Sequence, residues 1–155
     1  MARATRRALW EKWRRFDVDE RRTLRLAVLM IPTMHVVVRL MGFNRLQQRV
    51  ARTRAVTGLP YVPTADAVRT CVVNINRAKR YSPLPGNCLS QSLALTWMLR
   101  RRGIDPALRL GVRLTGPAFD AHAWVEYDGR VLNDTQDVHT RFTPLTAPVQ
   151  RERTR

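Results

Sequence analysis

At 155 residues, with 45% apolar side chains, the chain is long enough for one domain with a real core. Its net charge of +16 is almost all arginine (the only lysines are Lys12 and Lys79) and is densest early, with 14 basic against 4 acidic residues in 1–54 and 14 against 8 in 55–155. Such a field attracts an anionic membrane surface or an acidic peptide, whereas no finger spacing, aromatic-rich sheet motif or basic region joined to heptads points to nucleic acid, so none is expected.

In chain order, residues 1–18 read as a basic arm in which Leu9, Trp10, Trp13 and Phe16 recur at helical spacing and pack on the body or on a partner. Asp19 caps a helix to about Phe43. Its apolar run, Leu26 to Val38, holds Pro32, Thr33 and His35. A spanning helix needs about 20 mainly apolar residues, so a buried or membrane-grazing helix kinked near Pro32 is expected instead of a transmembrane segment. His35 has no second ligand at helical spacing and is read as a packed or partly exposed side chain. Gly58 to Pro63 is a loop, and Thr64 caps a helix to about Lys79 with Val68, Cys71, Val72, Ile75 and Ala78 on one side. Cys71 lies on that stripe and is read as core. The two cysteines, Cys71 and Cys88, form neither a disulfide framework nor a zinc-ligand pattern, and no signal peptide is visible. A reducing, cytoplasmic setting is therefore expected, with no cofactor or metal.

The stretch from Asn87 to Gly103 organises the rest. Ser82-Pro83-Leu84-Pro85-Gly86 forces a loop before it, and Asn87 is a good N-cap. Leu89, Leu93, Leu95, Thr96, Trp97, Met98 and Leu99 leave little polar face, which predicts a helix buried nearly all round. Arg100, Arg101 and Arg102 suit its negative end, and Gly103 fits the left-handed position beyond. Cys88 then sits at the positive end, where the dipole favours negative charge on sulfur. Position alone leaves open whether it is a nucleophile or a small core residue.

From Leu108 the period becomes alternating: Leu108, Leu110, Val112 and Leu114 predict a strand, Thr115-Gly116-Pro117 a turn, and Phe119 to Glu126 a second strand. Two hairpin loops are open to the next strand, Arg130 to Asp134. A two-residue loop, Asp128-Gly129, pairs His122 with Thr135 and sends Asp134 to the opposite face. A three-residue loop, Tyr127-Asp128-Gly129, pairs Glu126 with Arg130 and sets His122 opposite Asp134, and is the expectation adopted. Asp134 then accepts from one imidazole nitrogen and leaves the other for Cys88, the arrangement a cysteine nucleophile needs. Amides at the helix start, that of Cys88 included, are placed to receive an oxyanion. Trp124 shares the His122 face and is read as a core aromatic, with screening of the histidine–acid pair or lining of the peptide groove as alternatives. Asp120 is a weaker candidate orienter. Capping and packing account for Asn87 and Gln91. From about Thr143 the proline-containing tail is read as loosely held.

The order Cys, His, Asp on helix, strand and strand resembles the transglutaminase-like branch of papain-type folds. Within it, Cys88-Leu89, Ser92 to Leu95, Leu99 to Gly103, Gly111-Val112 and Ala121 to Glu126 with Asp128-Gly129 resemble the stand-alone leader peptidase of lasso-peptide biosynthesis. That family corresponds to the C-terminal half of the microcin-processing B protein. The match is strong from about 64 to 134. The resemblance implies an α+β fold, with N-terminal helices and a buried nucleophile helix packed on a small antiparallel sheet, and a single domain (1–63 a basic helical extension, 64–142 the catalytic core, 143–155 a loose tail). It implies a cysteine protease acting through a thioester, with Cys88 as nucleophile, His122 as general base and acid, and Asp134 as orienter. Its implied partners are a precursor peptide, a small leader-recognition protein and an ATP-dependent lasso cyclase, with peripheral membrane contact a further option. Residues 1–54, through Arg14, Arg15, Arg21 and Arg22, are expected to dock the recognition protein or an acidic leader. Two alternatives stand beside it: an acyl or amide transferase on the same fold, and a non-catalytic basic module for nucleic acid or membrane.

Overall fold

The computed structural model of the chain describes residues 18–53, 65–81, 86–115 and 118–145. The expectations for the arm at 1–17, the loop at 58–63, the Thr64 cap, residues 82–85, Gly116-Pro117 and the last ten residues, with Arg14 and Arg15, lie outside them. Four helices come first: α1 (Val18–Met41), α2 (Phe43–Ala51), α3 (Ala65–Tyr81) and α4 (Cys88–Arg101). Then follow β1 (Ala107–Thr115), β2 (Ala118–Tyr127), β3 (Arg130–Val131), the short α5 (Val138–Arg141) and β4 (Thr143–Pro144). The sheet has the order β3-β2-β1-β4 and is antiparallel throughout, giving an α+β fold.

α4 is the helix around which the others pack. Asn87 is extended and its Oδ1 accepts from Ser90 N at 3.0 Å, the N-cap read from sequence. At the other end Gly103 has φ 73°, its amide reaches Arg100 O at 3.0 Å, and Ile104 N reaches Leu99 O at 3.1 Å. These are the paired bonds of a glycine-terminated helix. The terminal arginines tie α4 to its neighbours: Arg100 bonds Ala51 O and Asp105, Arg101 lies 4.8 Å over the Trp97 ring, and Arg102 bonds Asp19 and Thr23. Between its ends Ser90, Ser92 to Thr96, Met98 and Leu99 are buried.

α1 runs unbroken through Pro32 and is 24 residues long, well beyond its apolar run. Length and composition alone would let it cross a bilayer, which removes the length argument made from sequence. Packing replaces it: Thr23, Leu24, Ala27, Ile31 and Met34 are buried, and with Cys71, Ile75 and Ala78 of α3 and Leu93, Leu95 and Leu99 of α4 the apolar ones form the main core. Gly42, at φ 78°, ends α1 and starts α2, an unpredicted helix that buries Leu46 and Val50. Cys71 is fully buried, as expected, and burial pushes its thiol up to about 11, against a smaller opposing pull from Arg102.

The sheet has two covered faces. Ala123 and Val125 are buried on the helix side, while Trp124, Val131, Val138 and Phe142 make a second, smaller core on the other. One sequence expectation fails here, and another is narrowed at its first three residues. The hairpin is the two-residue form, Tyr127 pairing with Arg130 and Glu126 with Val131, and both loop residues have positive φ (Asp128 49°, Gly129 70°). That turn matches the right-handed twist of the strands, which explains the preference. The tail, in turn, is held as far as Leu145: Pro144 pairs with Gly111, Thr143 with Val112, and Leu145 N donates to Leu110 O at 2.8 Å. An edge position is where a strand can accept proline.

Candidate active site

β3 pairs through only two residues, and this exposes the edge of β2 on which the site is built. Leu132 N donates to Val125 O at 2.8 Å, but Val125 N donates to the Asn133 side chain, Oδ1, at 2.8 Å. An amide side chain takes the place of backbone, the strand ends, and the chain bends over residues 132–134. Pleat alternation no longer governs Asp134, so it meets His122 despite the two-residue loop. The expected pair therefore forms by a different route.

Along the uncovered edge, alternate carbonyls of β2 are taken by one face of α4. Ser92 Oγ donates to Ala123 O at 2.9 Å, and Cys88 Sγ points at Ala121 O at 4.0 Å. A four-residue step along a helix rises about 6 Å and a two-residue step along a strand about 6.8 Å, so the two repeats match closely enough for both bonds. Asn133 Nδ2 donates to Ser92 Oγ at 2.9 Å and closes a clasp. Its three members adjoin the three candidate residues: Ser92 is one turn beyond Cys88, Ala123 follows His122, and Asn133 precedes Asp134.

Asp134 is the most elaborately held side chain of the region. Its Oδ2 bonds His122 Nε2, and its Oδ1 accepts from Thr135 N at 2.7 Å and from Arg141 at 2.7 Å. Burial would raise its carboxyl. The bonds from Thr135, His122 and Arg141 outweigh that and hold it at about 2, so it is ionised across the neutral range. The His122 ring stacks on Phe142 (centroids 4.8 Å apart) and on Trp124 (6.2 Å). Trp124 is anchored in turn: its Nε1 donates to Glu126 at 2.7 Å, and Glu126 also meets Arg109 at 2.8 Å and His139 at 3.1 Å. Gly111, paired with His122 across β1 and β2, leaves room for the indole. A Cβ there would stand 2.8 and 2.9 Å from ring atoms of Trp124.

The structure thus joins His122 to Asp134 and brings the Cys88 sulfur to the carbonyl that immediately precedes His122. Among the described residues the thiol bonds that carbonyl and not the imidazole, so the expected sulfur–imidazole bond is not formed. Asp120, the weaker orienter, is spent on Arg113 across the strands at 2.7 Å. Asn87 caps, and Gln91 reaches Gly86 O at 3.3 Å. Ser92, Asn133, Arg141 and Phe142 received no role from sequence reasoning. Only the Ser92 spacing, one helical turn from Cys88, carried a usable signal. Among the described residues no group of three His, Cys, Asp or Glu side chains could hold a metal ion. A cavity of about 360 Å³ between α2, α4 and the start of β1, lined by Val50, Leu93, Thr96, Arg100 and Leu108, lies toward the far end of α4 from Cys88.

The family model of the transglutaminase-like superfamily matches residues 30–147, from mid-α1 past β4. The chain is 34% identical over 78 residues to the microcin J25-processing protein McjB of Escherichia coli, a stretch that covers 50% of this chain and 36% of that relative. It thus spans little more than a third of the relative's length. No solved structure matches. The match to the family model covers well over half of the sequence and every element that builds the site: the chain belongs to the transglutaminase-like superfamily.

Proposed function

We propose that the protein is a cysteine peptidase that removes the leader from a ribosomally made lasso-peptide precursor, with Cys88, His122 and Asp134 as its triad. The observation that carries the reading is the His122–Asp134 bond on the strand edge that the Cys88 end of α4 abuts. The similarity to a microcin-processing protein supports the substrate class. With Nε2 engaged by Asp134, Nδ1 is the nitrogen left to take the thiol proton. The thiol reaches it by releasing a long, weak bond to Ala121 O, a change that substrate binding can drive. Sulfur, its proton passed to Nδ1, then attacks the carbonyl at the leader's end.

The tetrahedral oxyanion is received by free amides at the start of α4, that of Cys88 included. His122 returns its proton to the departing amine as the C–N bond breaks, which frees the N-terminus of the product and leaves the leader as a thioester. Water, deprotonated by His122, attacks the thioester; the C–S bond breaks and the enzyme is restored. Asp134 stays ionised and holds the ring in one tautomer throughout. The freed amine is the group a lasso cyclase would use, and a small recognition protein would deliver the leader. An amine in place of water at the last step would make the enzyme an acyl transferase on the same groups.

The test is mass spectrometry of precursor incubated with this protein and its recognition partner. Cleavage should vanish with Cys88→Ala and His122→Ala and fall with Asp134→Asn. Undiminished cleavage by Cys88→Ala would refute the assignment.

A further inference from the structure

α1 has two unlike faces. Inward, Leu24, Ala27, Ile31 and Met34 enter the core. Outward, Leu29 is 61%, Val36 44% and Leu40 79% exposed, in line with Arg22 and Thr33 at helical spacing, and Arg25 and Arg39 are exposed beside them. Only 22% of the helix's most apolar stretch is buried within the protein. Isolated exposed leucines need no explanation, but an apolar line along one helix does.

Two observations say what covers it. The first is charge. Both acidic residues of α1 are paired with the body, Asp19 with Arg102 at 3.0 Å and Glu20 with Arg77 at 3.6 Å. Beyond Glu20 every charged side chain on the helix is an arginine. The second is the lack of directed polar groups. Thr33, the hydroxyl in the middle of the line, gives its proton to Leu29 O at 2.7 Å. A protein partner usually adds about one hydrogen bond per 100–200 Å², and the centre of this face offers little for that. A lipid surface asks only for apolar area at the acyl boundary and cations at the phosphates.

We infer that the outer face of α1 seats the protein on an anionic lipid surface, with Leu29, Val36 and Leu40 at the acyl boundary and Arg22 and Arg39 among the headgroups. The apolar line is about 16 Å long. The helix lies in the membrane plane and does not cross it, because a crossing would strip Leu24, Ala27 and Ile31 from α3 and α4. The docking is independent of the peptidase chemistry, so the Cys88→Ala protein serves equally well for its test.

Full-length protein is sedimented with sucrose-loaded vesicles of phosphatidylcholine, alone or with a minority of phosphatidylglycerol. Pelleting is expected with the anionic vesicles. Leu29→Ser/Val36→Ser/Leu40→Ser should weaken it by about tenfold or more without lowering the melting temperature. Arg22→Gln/Arg39→Gln should also weaken it and flatten its salt dependence. Wild-type protein that ignores the vesicles, or a serine variant that pellets like wild type, overturns the inference. So does a protein that ignores vesicles but binds polyglutamate through the same residues, because the face would then be a docking surface for an acidic protein or peptide.

Discussion

Replacing Ser92 with alanine would remove one hydroxyl and leave two partners without it. Ser92 is fully buried; its Oγ donates to Ala123 O and accepts from Asn133 Nδ2, both at 2.9 Å. A buried polar group left unpaired costs about 1–3 kcal/mol; Ala123 is buried and Asn133 half-buried, so orphaning both should cost about 2–4 kcal/mol. Asn133→Ala loses the same side-chain bond and the one from Val125 N. The two losses share one bond, so the double variant should be more stable than the sum of the singles by about 1 kcal/mol. Urea unfolding followed by circular dichroism gives all three numbers. Processing should fall further than the folded fraction does, since a misplacement of about 1 Å at reacting groups can cost on the order of a hundredfold. Strict additivity, or single costs below about 0.5 kcal/mol, would refute the idea that this clasp registers the triad.

Other expectations are more local. Asp134 is held at about 2 against an ordinary 3.8, so its contribution to stability is complete above the ordinary value and drains away as pH falls toward the depressed one. Arg141→Met removes one of the bonds that hold it down and should move the acid loss of stability to higher pH in urea midpoints measured along a pH series. Gly111→Ala would push a methyl into Trp124 and within 3.0 Å of Phe142 Cβ. It should cost about 1–3 kcal/mol by overpacking, shift the tryptophan fluorescence, and slow processing by disturbing the His122 stack. Iodoacetamide should label Cys88 and leave Cys71 unmodified in the native protein, because Cys71 is buried and its thiol is raised to about 11.

The helix that carries Cys88 was legible in the sequence because its signals are local: Asn87 acts within one turn, and Gly103 supplies its own left-handed geometry. The His122–Asp134 pair was legible only by way of a wrong turn type. Counting register from Asp128-Gly129 assumes that the strand continues, and it stops because the Asn133 side chain substitutes for backbone, which no periodicity reports. Asp120 looked plausible by spacing until Arg113 met it across the sheet. Arg141, Phe142 and the Ser92–Asn133 bond join elements far apart in the chain, and β4 depends on β1 having a free edge. α2 escaped notice because it is only nine residues long and fully buries just Leu46 and Val50.

The direct test of the central claim is covalent capture. A leader-derived peptide ending in an electrophile is incubated with the protein and its recognition partner, and the adduct is located by peptide mass mapping. The adduct is expected on Cys88, forming at a rate that collapses in His122→Ala and falls in Asp134→Asn. An adduct on Cys71, or labelling of Cys88 at an unchanged rate without the imidazole, would contradict it.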